Sequence, residues 1–331
     1  MTLHLVALPH TQLTSAYSAC AYTMKAKRWI PMMQDQGFEV ALHGQLTIEE
    51  QALFGFHGPQ DYLGISFDAS EPIWQVANSR AARSIREQWQ PGDVVCLTGG
   101  NAQQPLVGIG TTVEPFVGYK GTCRGTFRVF ESHAWRNFVY GRNDEDGQFF
   151  DEVIPNFYDL RDFPIVTEPD DYFAFVGRLD ANKGLEIAQQ VCESLGAELR
   201  VAGLGEPRGY GEFLGMMGQP EIAKLLGHAR ATFVPTRYVG PFEGVHVESM
   251  LCGTPVLTTD FGVFTETVEN GLDGFRCSMF REFREAATKT FDRARIAARA
   301  RRRFSTKTVG AQFADYFDRI ATLSKDGWYQ K

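Results

Sequence analysis

Two cations flank the end of a short apolar run in the second half of this 331-residue chain: Arg178 and Lys183, in Phe175-Val176-Gly177-Arg178-Leu179-Asp180-Ala181-Asn182-Lys183-Gly184. The run has strand composition, Gly177 permits a tight turn after it, and a helical pattern follows. Two cations beside the free N–H groups of a helix start make a site for a pyrophosphate; a plain surface Arg and Lys pair is the bland alternative. A glycine pair, Gly203 and Gly205, follows the next apolar run and would let a ligand approach the backbone. It lacks the GxGxxG spacing of a dinucleotide fingerprint. The third stretch, Arg237 to Cys277, sets the Gly/Pro loop Gly240-Pro241-Phe242-Glu243-Gly244-Val245 before a helical segment that carries Glu248. A bidentate carboxylate there suits the vicinal diol of a ribose. His246 and Glu248 are two apart on a helix and face different ways, a poor metal pair. Neither HExxH nor GxSxG occurs, which leaves metalloprotease and serine-hydrolase chemistry without support.

Elements that could hold these residues alternate along the chain as strands and helices, the pattern of parallel sheets covered by helices. In the first half the expected strands are Leu3–Leu8, Phe38–Leu42, Asp93–Leu97 and Phe127–Phe130. The expected helices are Ala16–Gln34, Pro72–Gln90 and Ala134–Tyr140. A polar stretch, Asp159–Asp171, reads as a linker. Beyond it, strands are expected at Tyr172–Val176, Glu198–Ala202, Ala231–Val234 and Pro255–Leu257, with helices at Lys183–Leu195, Ile222–Leu226 and Gly244–Leu251. Two doubly wound α/β domains are the simplest architecture, with ligands beyond the C-terminal strand ends, in the cleft between the domains.

Composition narrows the class. The chain is 44% hydrophobic and 22% charged, as in an ordinary globular protein, and no apolar run reaches the roughly 18 residues of a membrane span. The first residues read as a buried strand rather than a signal peptide. Six cysteines stand singly, so free thiols in a reducing cytoplasm are expected and a zinc site is not. A net charge of −7 argues against general nucleic-acid affinity. Residues 281–307 run the other way, with ten Arg or Lys and apolar positions Phe283, Ala287, Phe291, Ala294 and Ala298 at helical spacing. One amphipathic helix with a basic outer face is expected: a solvated face, or a docking face for an anionic acceptor or membrane.

Taken together, the three stretches resemble the retaining glycosyltransferases of family four, glycosyl transferases group 1, with the GT-B double-Rossmann fold. The carriers are Gly177-Arg178 with Lys183-Gly184, the Gly203-Leu204-Gly205 loop, and Glu248-Ser249-Met250-Leu251-Cys252-Gly253-Thr254-Pro255-Val256. The turn Gly262-Val263-Phe264-Thr265-Glu266-Thr267-Val268-Glu269-Asn270-Gly271 adds to them. They cover about residues 150–310; the first half resembles the family in element order and in Val129-Phe130-Glu131-Ser132-His133-Ala134-Trp135. The resemblance implies three parts: an acceptor domain at 1–158, a nucleotide-sugar donor domain at 159–308, and a C-terminal helix segment, 309–331, crossing back to the first. It assigns Arg178 and Lys183 to the donor pyrophosphate and Glu248 to the ribose. Gly177, Gly203, Gly205, Pro241, Phe242, Gly244 and Val245 then lie around phosphate and sugar, and His133 lies near the donor sugar from the opposite domain. The reaction implied is transfer from a nucleoside-diphosphate sugar to an acceptor hydroxyl with retention, without metal or other cofactor, by a cytoplasmic enzyme, peripheral to a membrane if the basic helix docks there.

Two departures stand out. The family pairs two glutamates eight positions apart, yet Gly240 stands eight before Glu248, and a carboxylate appears instead at Glu243, where the family usually has Gly. Either Glu243 substitutes from one turn along and holds the transferred sugar, or the donor sugar is an unusual one, or activity is lost. The first loop, Pro9-His10-Thr11-Gln12-Leu13-Thr14, lacks the family's paired glycines. The acceptor stays open among glycan, lipid, small molecule, protein and hydroxylated bases of nucleic acid, and a non-catalytic nucleotide-sugar-binding subunit is the reading from another class. Asp144-Glu145-Asp146 has DxD form but lies in a polar loop, where a solvated turn is expected rather than a manganese site.

Overall fold

The computed structural model describes residues 1–17, 20–59, 61, 65–206 and 208–326. Ser18 and Ala19, inside the helix expected at Ala16–Gln34, lie outside them, as do Pro207 after Gly205 and the last five residues of the expected 309–331 segment. The chain divides into two compact units: Met1–Glu131, Asp144–Ile154 and Val309 onward form one, Ser132–Asn143 and Pro155–Thr308 the other. The division falls four residues before the expected boundary at 158, and 132–143 groups with the second unit.

In the first unit the order is β1 (Thr2–Val6), α1 (Ala21–Asp35), β2 (Glu39–His43), α2 (Ile48–Ala52), α3 (Pro72–Gln88), β3 (Val94–Leu97), β4 (Thr111–Glu114) and β5 (Phe127–Phe130). Helix α4 (His133–Asn143) follows in the chain but groups with the second unit, and β6 (Glu152–Val153) returns to the first. The sheet runs β2-β1-β3-β4-β5-β6, all parallel. Strands covered on both faces need near-continuous apolar runs, and β3, Val-Val-Cys-Leu, is buried throughout. Trp29 on α1 meets the rings of Phe313 and Phe317, at 6.2 and 6.0 Å, so the segment after Val309 completes this core. Glu145 accepts two hydrogen bonds from buried Arg128, at 2.8 and 3.0 Å, and Asp151 accepts another at 2.9 Å. The middle residue of the DxD-like run thus anchors an arginine.

The second unit alternates strands and helices in the same way. Its elements are β7 (Tyr172–Val176), α5 (Leu185–Leu195), β8 (Glu198–Ala202), β9 (Glu212–Gly215), α6 (Gln219–His228), β10 (Thr232–Val234), α7 (Val245–Leu251), β11 (Val256–Thr259), α8 (Phe264–Thr267), β12 (Gly274–Cys277), α9 (Phe280–Ala286), α10 (Arg293–Phe304) and α11 (Thr306–Asp326), whose residues from Val309 belong to the first unit. Its parallel sheet has the order β12-β11-β10-β7-β8-β9, so the chain reverses direction between β7 and β10. Phe173, Phe175, Leu199, Val201 and Phe233 form one side of the core, each worth about 1.5–3 kcal/mol of burial. Strands β4, β9 and β12 escaped the sequence reading because Thr, Glu, Gly and Arg interrupt their apolar runs.

The basic segment is not one helix. Residues 287–292 separate α9 from α10, and the buried face of α10 is Ile296, Ala297, Ala300 and Phe304, while Ala294 and Ala298 are exposed. Several of its cations point inward. Arg293 is buried and donates to the carbonyls of Val166, Ala229 and Gly227 and to the Thr254 hydroxyl. Arg301 donates to the Leu251 and Phe163 carbonyls, and Arg303 to those of Thr267 and Glu266. Arg299 pairs with Asp273 and Glu269. Helix ends and loops leave carbonyls unpaired, and guanidinium forks satisfy several at once. Arg281, Arg284, Lys289, Arg295, Arg302 and Lys307 remain exposed.

Candidate functional site

Doubly wound sheets take ligands outside the C-terminal strand ends where the strand order reverses, and in the second unit that point lies between β7 and β10. The segments that follow these two strands, 177–184 and 235–244, carry most of the residues singled out from the sequence. They are tied together by the Arg237 amide, which donates to the Asn182 carbonyl at 2.8 Å. The expected helix at Lys183–Leu195 begins later. Asp180 caps a short 3-10 turn, Ala181–Lys183, by accepting from the amides of Asn182 (3.0 Å) and Lys183 (3.2 Å). Gly184 then turns with φ +70°, where a Cβ would strike the Pro235 carbonyl, and α5 starts at Leu185.

Lys183 and Glu243, sixty residues apart, form an ion pair with side chains only 17% and 7% exposed. Thr236 Oγ1 lies 3.4 Å from Glu243 Oε2, and the Tyr238 ring centroid lies 4.9 Å from Lys183 Nζ. Burial pulls the Lys183 ammonium down, but Glu243 more than reverses this and its pKa stays above the ordinary lysine value. Glu243 has φ +58°, the left-handed region that costs a residue with a Cβ about 1–2 kcal/mol. His246 holds that turn. Buried and held at about 4 by desolvation, it is a neutral imidazole whose Nδ1–H donates to the Glu243 carbonyl while Nε2 faces Thr267 Oγ1 at 2.8 Å. Sequence reasoning missed this role; a buried-helix His three residues after a non-Gly replacement in a Gly-rich loop was the available signal.

Around this pair the other residues fall into place unevenly. Arg178 is 62% exposed and sits 3.6 Å from Asp180, a cation open to solvent. Gly203, φ +146°, packs so closely on the Gly177 carbonyl that no Cβ fits, and the Leu179 amide donates to Leu204 beside Gly205. These glycines hold two loops in contact. The amides of Gly244 and Val245, at the start of α7, have no acceptor among the described residues. Tyr158 steadies that start by donating to the Gly244 carbonyl at 3.3 Å. Glu248 is half-buried one turn along α7. Phe242 serves the core, its ring 5.8 Å from that of Phe304.

His133 differs from expectation. It opens α4, which groups with the second unit rather than reaching over from the first. Its amide and that of Ala134 donate to the two Glu266 oxygens at 2.9 and 2.6 Å, and the Ser132 hydroxyl donates to the Pro241 carbonyl at 2.9 Å. A carboxylate at a helix start offsets the helix dipole, so Glu266 anchors α4 while the His133 side chain stays exposed. Among the described residues no group of three or more His, Cys, Asp or Glu is placed to hold a metal, and all six cysteines are buried free thiols. No described helix is long and apolar enough to cross a membrane.

Two parallel doubly wound sheets with these glycine-linked loops are the architecture of GT-B proteins, and the likeness to solved structures runs the length of the chain. A glycosyltransferase involved in avilamycin A biosynthesis, AviGT4, superposes with TM-score 0.71 at 16% identity, covering 97% of this chain and 98% of that one. HepE of Anabaena, solved with UDP and glucose, gives 0.68 at 15% identity over 96% and 100%. These shares of identity establish the fold, and the expected GT-B class is borne out. Residues 170–292 match the family model of Glycosyl transferases group 1, so the second unit carries the family signature its motifs suggested. Among curated proteins, a probable sucrose-phosphate synthase of Thermosipho melanesiensis is 39% identical over 85 residues, 25% of this chain and 20% of that protein. An uncharacterized glycosyltransferase of Methanocaldococcus jannaschii is 30% identical over 126 residues, 33% and 32% of the two. The chain thus spans a fifth to a third of the length of these relatives.

Proposed function

We propose that this protein is a retaining glycosyltransferase that moves a sugar from a nucleoside-diphosphate sugar to an acceptor hydroxyl. The observation that carries the reading is the convergence of Lys183, Glu243 and the unpaired Gly244 and Val245 amides at the switch point of the second unit, inside a segment matching the group 1 glycosyltransferases. The crystals of HepE with UDP-glucose support the donor class. Arg178 and Lys183 take the pyrophosphate, the α7 amides stabilise charge on the departing phosphate, Glu248 takes the ribose diol, and Glu243 takes a hydroxyl of the transferred sugar. The leaving diphosphate departs, the anomeric carbon becomes oxocarbenium-like, and the acceptor hydroxyl attacks from the same face. Metal is not needed where cations and amides already meet that charge. The enzyme acts in the cytoplasm; with four arginines of α10 turned inward, docking on a membrane or on nucleic acid has only the remaining exposed cations to use.

A thermal-shift screen against UDP-, GDP-, ADP- and dTDP-sugars tests the donor, because a ligand at 100 times its dissociation constant stabilises by about 2.7 kcal/mol. One of the four is expected to shift the melting midpoint, and slow hydrolysis of that donor without acceptor would separate an enzyme from a binding subunit. Arg178→Ala and Lys183→Ala each remove a charge-assisted contact worth roughly 1.5–3 kcal/mol, or about ten- to a hundredfold in donor use. No shift with any of the four, and unchanged efficiency in both variants, would sink the reading.

A further inference from the structure

Glu243 meets Lys183 from a backbone conformation that a residue with a Cβ does not favour by itself, φ +58°. Two side chains from further along the chain bear on that turn. His246 in α7 has its Nδ1 2.5 Å from the Glu243 carbonyl and its Nε2 2.8 Å from Oγ1 of Thr267, the last residue of α8. The ring is fully buried and flanked by those of Phe242 and Phe264, at 5.5 and 5.2 Å. So packed, it keeps one nitrogen toward each partner.

Counting protons leaves one arrangement. A bare Nδ1 would set its lone pair against the carbonyl oxygen, so Nδ1 carries a proton. A second proton on Nε2 would make an imidazolium, which burial opposes, holding the group at about 4. Nε2 is therefore an acceptor, and the Thr267 hydroxyl is the donor beside it. That hydroxyl also lies 2.9 Å from the Val263 carbonyl, which competes for its proton. The Val263 carbonyl, however, already accepts the amides of Glu266 and Thr267, at 3.1 Å each. The hydroxyl is left for the ring. Arg303 fixes Thr267 in turn, donating to its carbonyl at 3.0 Å.

We propose that Thr267 and His246 are positioning residues for sugar transfer: Thr267 sets the tautomer of His246, and His246 holds the turn from which Glu243 serves the donor. The proposal rests on the reading of Glu243 as the group that takes a hydroxyl of the transferred sugar. Its first test needs no ligand. Long-range proton–nitrogen NMR correlation, on the imidazole whose signals vanish in His246→Leu, should show the neutral Nδ1-protonated form at neutral pH. Hydrolysis of whichever of UDP-, GDP-, ADP- and dTDP-glucose the parent uses is the second. Small misplacements at a reacting centre are costly, so His246→Leu should lower kcat at least about tenfold with donor KM within about threefold. His246→Asn, whose amide takes the place of Nδ1–H, should recover most of kcat; His246→Gln, whose amide corresponds to Nε2, should not. Thr267→Val should lose kcat while Thr267→Ser keeps it, and this pair carries the kinetic test if His246→Leu fails to fold. Glycine takes a positive φ unaided, so in the Glu243→Gly background His246→Leu should cost less than about twofold. A proton on Nε2, parental kcat in His246→Leu or Thr267→Val, or equal losses in both backgrounds overturns the proposal. A parent inactive with all four donors overturns the transferase reading, and the positioning role with it, even where the tautomer is as expected.

Discussion

Replacing Glu243 by Gln separates its two tasks, neutralising Lys183 and holding a hydroxyl. Removing one partner from a fully buried ion pair costs about 3–5 kcal/mol, mostly for the charge left behind. Lys183 keeps 17% of its side-chain exposure, so about 2–3 kcal/mol is expected for Glu243→Gln. Glu243→Gly loses the same pair but relieves the left-handed strain at φ +58°, worth about 1–2 kcal/mol. The glycine variant should therefore be the more stable of the two by roughly 1 kcal/mol, although it removes more side chain. Hydrogen exchange of the β7 and β10 core amides reads the stability of the second unit by itself. Ligand binding runs in the other direction. Glu243 competes with a diphosphate for Lys183, so both variants should bind free nucleoside diphosphate about as tightly as the parent or up to roughly fivefold more tightly, a gain of about 1 kcal/mol, while turnover with the authentic donor falls. Glu248→Gln should weaken nucleotide binding itself. The reasoning is refuted if Glu243→Gln is as stable as the parent with full turnover, or if the two glutamine variants behave alike.

Three further outcomes follow from the structure. Arg293, which burial holds at about 10, satisfies three carbonyls and a hydroxyl; Arg293→Lys should destabilise the second unit by about 3 kcal/mol in hydrogen exchange, since one ammonium cannot span those acceptors. Glu114 is buried and accepts from the Cys123 amide and the Thr126 hydroxyl, and desolvation lifts it from 4.5 to about 8. Between those values the folded state keeps a proton that the unfolded state has lost, so stability falls as pH rises through the window by up to about 1.4 kcal/mol per unit. Denaturation of Glu114→Gln across pH 5–8 should show that slope flattened, and an unchanged slope would place the titration elsewhere. Transfer activity should survive dialysis against EDTA, because Arg178, Lys183 and the α7 amides meet the diphosphate charge; full dependence on added manganese would reopen the Asp144-Glu145-Asp146 loop, despite the tie of Glu145 to Arg128.

Much of the second unit was legible in two strand patterns, the unbroken apolar run of Tyr172–Val176 and the apolar and polar alternation that starts Glu198–Ala202. Tyr172–Val176 and Glu198–Ala202 agree to the residue. Glycine spacing marked the two loops that must touch, since contact as close as that of Gly203 with Gly177 excludes a Cβ. The basic segment was misread for the opposite reason. Arginine looks solvated in a periodicity count, yet its long stem and forked head let it lie inside wherever carbonyls lack partners, and nothing local says where those carbonyls are.

The amino-acid order by itself determined the alternation of elements, the two-sheet class and the identity of the cations and glycines at the strand ends, because these depend on local propensity and on contacts a few residues away. Only tertiary structure decided that Lys183 pairs with Glu243, that His246 pins a strained turn, and that Glu266 rather than a ligand caps α4. Each joins segments that meet through the order of strands in a sheet or the fold of a distant loop. Side-chain spacing along the chain does not encode that order; the packing of whole elements does.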